Sequence, residues 1–539
     1  VEIGVFDMAD SGTESEPEPD PDPVRRIAGG YAGGGPALEL GALLWDGVCR
    51  KDAPVRVPLA MLNRHGLVAG ATGTGKTKTL QLVAEQLSAS GVPVFLADIK
   101  GDVSGISAPG VPGDKVRERA AEVGQEWRGR GFPVEFYGLG GVGPGIPVRA
   151  TVTDFGPVLL AKVLGLNRTQ EQSLGLVFHY ADSKGLELDD LKDLRAVVAF
   201  LVSDQGKAEL RTVGGLSTAT AGVILRSVTV FEQQGAAGFF GRPEFDTAQL
   251  LRTAPDGRGI VSVLELAAVR DRPQLFSTFL MWLLADLFHE LPEVGDQDRP
   301  KLVFFFDEAH LLFTDASKAF LESITQTVKL IRSKGVGVFF VTQTPKDVPG
   351  EVLAQLGNRV QHALRAFTPD DATALKATVR TFPKSPYDLE AVLTGLGTGE
   401  AVVTVLGESG APTPTAVTRL RAPESLMGPV DPAALDAAVA ASPLYGTYAR
   451  AVDRESAYEK LSGRPGPVAD DGSVAESAPV SGTESVSGTA PDSVPRREQE
   501  SLVAQVMGSG AFKSLARSVG TQLGREITRS LFGTSRRRR

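Results

Sequence analysis

Residues 70–77 read Gly70-Ala71-Thr72-Gly73-Thr74-Gly75-Lys76-Thr77. Glycines at this spacing let the backbone wrap until its N–H groups converge on phosphate oxygens. A lysine just after them supplies a charge for the β- and γ-phosphates, and the following threonine offers a hydroxyl to Mg²⁺. A second constellation follows the apolar run Leu302 to Phe306, where the chain reads Asp307-Glu308-Ala309-His310. Phosphoanhydride hydrolysis needs one carboxylate to hold the Mg²⁺ water shell and another to polarise the attacking water, and Asp307 and Glu308 fit those roles. A third apolar run, Gly337 to Thr342, ends in Gln343, a polar side chain able to orient that water or to sense the γ-phosphate. Alone, an Asp-Glu pair at a strand end is most often an ordinary turn. Three strand ends of matching chemistry, in the right order, point instead to a site for ATP and Mg²⁺.

These residues need strands to hold them and a helix to open on the phosphates. Leu67-Val68-Ala69 reads as the strand entering the glycine loop, and Leu80 to Leu87 has helical spacing directly after it, which is the strand-turn-helix context the motif requires. Further strands are expected at 92–98, 133–137, 258–265, 301–306, 336–342 and 359–365. Strands alternating with helical segments imply an α/β fold with a parallel sheet flanked by helices. A β-hairpin is expected over residues 36–60, and an edge hairpin is expected around Gly407 to Gly410. The long helical stretch between the second and third of those strands exceeds what one crossover needs, so residues 150–255 are expected to form a helical insertion.

Outside the core, composition changes. Residues 1–35 contain an acidic, proline-rich run over 9–24 and are expected to be a disordered tail. The ATPase domain is expected over 36–428, a helical extension over 429–462 and a disordered linker over 463–500. Residues 501–539 are expected to form a basic amphipathic tail. From residue 510 onward it carries eight positive charges against one negative, while Phe512, Leu515, Val519, Leu523, Ile527 and Leu531 recur at three- and four-residue steps. Such a tail could meet DNA, an anionic membrane or the acidic body of its own chain.

The net charge of −9 over 539 residues predicts no strong bulk attraction to nucleic acid, so any DNA contact must come from a local basic patch or a pore formed by several copies. The single cysteine, Cys49, excludes a disulfide framework and fits a reducing compartment. The five histidines lack zinc-ligand spacing. The most apolar stretch, Phe276 to Asp286, is too short to span a bilayer, and a cytoplasmic location is expected.

With the motifs above, the segments Asp98-Ile99-Lys100-Gly101-Asp102, Ile331 to Pro345 and Leu356 to Pro369 make the chain resemble the HerA/FtsK superfamily of P-loop ATPases. More narrowly, it resembles bacterial proteins built on the HerA-like helicase C-terminal domain. The resemblance runs from about residue 37 to about 428, and weakly again in the basic tail. It implies a RecA-like core, assembly into a homo-hexameric ring and ATP-driven translocation of double-stranded DNA. By position, Lys76 and Thr77 match the Walker A pair, Asp307 and Glu308 the Walker B pair, and Gln343 the polar sensor. Arg332, Arg359 and Arg365 lie on segments that could present an arginine finger to a neighbouring subunit. HerA itself carries an N-terminal β-barrel that docks a nuclease; residues 36–69 are too few for a full barrel, so no nuclease-docking barrel is expected. A nucleotide-switched scaffold and a polypeptide-translocating ATPase are the alternatives that the residues leave open.

Overall fold

The computed structural model of the chain describes residues 22–210, 214–295, 297–313 and 318–463. Its centre is one mixed sheet of twelve strands: β1 (Ala37–Trp45), β2 (Val48–Pro58), β3 (Gly66–Ala69), β4 (Val94–Asp98), β5 (Val134–Leu139), β6 (Ile146–Val148), β7 (Val261–Glu265), β8 (Leu302–Phe306), β9 (Val336–Thr342), β10 (Asn358–Gln361), β11 (Glu400–Thr404) and β12 (Ala416–Leu420). The spatial order is β2-β1-β12-β11-β10-β3-β9-β8-β4-β7-β5-β6. From β10 to β6 all neighbours run parallel. The four strands on the other side pair antiparallel.

Every residue of β3, β4, β7, β8 and β9 is buried, because helices cover both faces of a parallel sheet and a continuous apolar run is what such strands require. Phe304, Phe305, Phe306 and Phe340 are each at most 1% exposed, and the rings of Phe306 and Phe340 lie 5.5 Å apart between neighbouring strands. Parallel strands share their C-terminal edge. One side of the sheet therefore collects the ends of β3, β9, β8, β4 and β7 side by side.

Between β6 and β7 the described residues form the helices Val152–Val163, Arg168–Ser183, Leu191–Leu201, Asp204–Glu209 and Thr218–Gln233. Their apolar faces join the main core through Phe155, Phe239 and Phe240. Phe239 in turn packs against Phe279 and Trp282 of the helix Pro273–Glu290. Trp282 also donates its indole N–H to Asp154 Oδ2 at 2.9 Å, so the apolar segment Phe276 to Asp286 is a core helix that clamps these helices to the sheet. No helix among the described residues is long and apolar enough to cross a membrane.

Two expectations need correction. Residues 22–35 were placed within the disordered acidic tail, yet Pro23–Gly29 is a helix, capped by the Asp22 side chain and started by proline at its first turn. Ile27 and Tyr31 are 1% and 4% exposed, and the Tyr31 hydroxyl donates to the Pro414 carbonyl at 2.7 Å. Two large side chains with somewhere to go outweigh an unpromising composition. Residues 1–21, and the linker and basic tail from 464 onward, lie outside the described residues.

The hairpin around Gly407–Gly410 was expected at an edge, but β12 pairs with β1, which makes it internal and leaves β2 outermost. Arg50, Lys51 and Asp52 on β2 are exposed, and charges of that kind suit an edge strand that must not recruit another. The β1–β12 seam is close. A Cβ at Gly41 would run into the Arg419 carbonyl. Gly41→Ala is therefore expected to destabilise the fold by ~2 kcal/mol or more, since backbone rather than a side chain would have to move; a thermal melt with an unchanged midpoint would show that the seam is looser.

Candidate nucleotide site

The glycine loop leaves β3 and opens the helix Lys76–Ala89. Gly75 caps that helix at φ +109°, a conformation that only glycine adopts without strain. Gly70 sits so near His362 that a Cβ there would meet the histidine's own Cβ. Neighbouring strands hold the loop: Gly70 N donates to the Thr342 carbonyl at the end of β9 (3.2 Å), and Ala71 N to Ala363 beyond β10 (2.8 Å). A third tie runs from Gly399 N to the Thr74 carbonyl at 3.0 Å. Lys76 is 6% exposed, and its ammonium donates to the carbonyls of Gly70 (2.7 Å) and Ala71 (3.2 Å). Burial lowers its pKa, against the opposing pull of Glu308 and Asp307. Thr77 occupies the first turn of the helix, half-buried.

One strand away from β9, β8 delivers Asp307 and Glu308 to the same edge, 2% and 6% exposed. Glu308 has φ +46°, an uncommon backbone for a residue with a side chain. Its Oε1 lies 2.5 Å from the Lys100 ammonium and its Oε2 3.2 Å from His310 Nδ1. Burial alone would raise the Glu308 carboxyl, but the Lys100 hydrogen bond and charge hold it below the ordinary glutamate range. Asp307 goes the other way, pushed up to about 7 by burial despite Lys100. Its Oδ1 accepts from the Glu308 N–H at 2.9 Å, whereas its Oδ2 is buried with no hydrogen-bond partner.

The end of β4 lies next to that of β8 and adds Asp98 and Asp102, whose carboxylate oxygens come within 4.8 Å of one another and of Asp307. Asp98 anchors the turn by accepting from the N–H groups of Lys100 (3.1 Å), Gly101 (2.8 Å) and Val103 (2.9 Å). Burial raises its pKa, and Glu265 at the end of β7 is pushed up to about 7 by burial and by the Asp98 charge. Three carboxylates whose oxygens lie this close together, one of them that of buried Asp307 with its unpartnered Oδ2, form a donor set suited to a hard divalent cation. The residues therefore fit Mg²⁺, with Asp307 as the expected ligand.

Gln343 stands exposed at the end of β9, between the glycine loop and the Asp307-Glu308 pair. The following turn is fixed by Asp347, whose Oδ2 accepts from Thr342 Oγ1 (2.8 Å) and from Thr344 N (3.0 Å). The three arginines occupy different places in the sheet. Arg332 is exposed in the turn leading into β9, at the opposite end of the sheet; Arg359 is half-buried within β10; Arg365 is exposed past the end of β10.

Sequence reasoning assigned no role to Asp98, Lys100, Asp102, His310 or His362. The first three do carry a signal, an Asp-x-Lys-Gly-Asp run at a strand end. His362 carries none: it is fully buried behind the loop with Nε2 2.8 Å from Thr79 Oγ1, and burial followed by the Lys76 charge lowers its pKa to about 4.

Residues 46–539 match the family model described as "Helicase HerA-like C-terminal". The chain belongs to the HerA-like C-terminal family. Its coarse class is accordingly that of a HerA-type NTPase. No curated protein matches it. Among solved structures, the bacterial conjugative coupling protein TrwBdeltaN70 is similar at 16% identity, over 74% of this chain and 91% of that one, with a TM-score of 0.48. TrwB in complex with ADP and Mg²⁺ is similar at 16% identity, over 73% and 99% of the two chains, with a TM-score of 0.47. VirB4 of Thermoanaerobacter pseudethanolicus is similar at 13% identity, over 73% and 98%, with a TM-score of 0.44.

Proposed function

We propose that this HerA-type protein hydrolyses ATP with Mg²⁺ at the site above, and that the cycle drives double-stranded DNA through a homo-hexameric ring. What carries the reading is the convergence of Lys76, Asp307, Glu308 and Gln343 at one edge of three adjacent parallel strands, β3, β9 and β8. The loop N–H groups of residues 70–77 and Lys76 bind the phosphates. Asp307 with Thr77 would hold Mg²⁺, flanked by Asp98 and Asp102; when bound, the ion neutralises charge on the β- and γ-phosphates. Glu308 takes a proton from the attacking water, and Gln343 orients that water. The burial of Asp307 and Glu308 strengthens these interactions by excluding bulk solvent.

DNA enters the reading through the family and through the tail. The last thirty residues carry +7, so the rest of the chain is at −16, and an electrostatic contact to phosphates would be concentrated there. The deciding measurement is ATP turnover with and without double-stranded DNA at two salt concentrations. Stimulation that collapses with salt is expected. Turnover indifferent to DNA at both would overturn the DNA reading and return the choice to a polypeptide translocase or a nucleotide-switched scaffold.

An arginine finger supplied in trans by Arg332, Arg359 or Arg365 belongs to the same reading. Lys76→Ala subunits keep their arginines but not their sites, and subunits with Arg332, Arg359 or Arg365 replaced by alanine keep the reverse. A one-to-one mixture is expected to turn over more ATP than either variant alone for at least one of the three. If all three single variants retain full turnover, none of them is a finger.

A further inference from the structure

Lys100 follows β4 by two residues, and the register of β4 against β8 (Ala97 beside Phe306) brings the two strand ends together, with the Lys100 ammonium 2.5 Å from Glu308 Oε1. Three N–H groups donating to Asp98 hold that turn, and Gly101 completes it at φ +75°. The Lys100 side chain is 41% exposed while its partner Glu308 is 8% exposed, so the ammonium caps a buried carboxylate and keeps one face toward the open edge of the site. Lys76 opens the helix after β3, and Glu308 follows β8 on the same edge of the sheet; besides burial, which lowers the Lys76 pKa, Glu308 acts to raise it and Lys100 to lower it. An ATP γ-phosphate held by Lys76 and facing Glu308 would bring a dianion to that edge. ADP would not.

We propose that Lys100 is a specificity-determining residue that distinguishes nucleoside triphosphate from diphosphate, by passing its ammonium from Glu308 to the γ-phosphate. The inference rests on the nucleotide-site reading above. The exchange is a change of hydrogen-bond and ion-pair partner, with no covalent step. It leaves the Glu308 carboxylate without its cation only while a γ-phosphate is present, which is the moment a base is needed. A purely structural ion pair would keep the same partner whichever nucleotide bound.

The test is a pair of titrations on the full chain in Mg²⁺, one with AMP-PNP and one with ADP. Lys100→Met is expected to weaken AMP-PNP about tenfold, the scale of one lost charge-assisted hydrogen bond, while ADP affinity stays unchanged. Lys100→Arg should restore most of the AMP-PNP affinity, and Lys100→Gln serves as a second neutral variant should the methionine fold poorly. Equal weakening of both nucleotides, or of neither, overturns the proposal. The hydrolytic reading fails separately: if Glu308→Gln retained full turnover, that reading would fall, while the ratio of the two affinities would still decide the role of Lys100. A wild-type chain that bound neither nucleotide would end both.

Discussion

Lys76→Ala is expected to abolish nucleotide binding. A triphosphate seated in a backbone cradle would lose its principal cation, and truncating one partner of a charge-assisted pair costs ~2–5 kcal/mol, or several decades in affinity at the upper end. The structure adds a second loss. The Lys76 ammonium also ties the Gly70 and Ala71 carbonyls, so alanine would leave both facing a cavity and loosen the loop that must receive the phosphates. The remaining anchors, from Thr342 and Ala363, should keep the fold intact, and a melt close to wild type would separate lost binding from lost structure. An unchanged dissociation constant for ATP would remove the glycine loop from the site.

The second large effect is on chemistry alone. Glu308→Gln should bind ATP as the wild type does, while turnover falls by ~10²–10⁴-fold, the usual contribution of a positioned general base. The amide has the same shape, and its oxygen can still accept from Lys100, so the unusual backbone at this position is undisturbed. What it lacks is the capacity to take a proton from water. Single-turnover measurements at saturating ATP are the direct check. Turnover within a few-fold of wild type would mean another carboxylate is the base, and Asp98, whose pKa burial raises, would be the next to replace.

Much of this site could be read from the chain because its parts are local. A glycine loop is contiguous, and a buried parallel strand announces itself as an unbroken apolar run ending in the residues it presents; β8 and β9 are both of this kind. What could not be read is adjacency. Nothing in the Asp98–Asp102 segment says that β4 will lie beside β8 and place Lys100 on Glu308, because strand order is decided by the whole sheet. His362 looked like one of five scattered histidines until β10 brought it behind Gly70. The same limit explains the misplaced hairpin: β11 and β12 were correctly expected as strands, but their outer neighbour β1 comes from the other end of the core. The helix at Pro23–Gly29 was hidden for a different reason, since acidic and proline-rich surroundings masked the few apolar residues that anchor it.

The seam between β1 and β12 also governs the order in which the molecule can be made. Tyr31 waits for Pro414, a partner 383 residues farther along, and the inner edge of β1 has no neighbour until β12 exists. During synthesis, Leu38, Leu40 and Leu43 leave the ribosome long before the strand that completes their sheet. Contacts of such long range slow folding and leave a sticky edge exposed in the interval. A nascent chain arrested before residue 416 should therefore be a chaperone client, released only once β12 has emerged to close the seam.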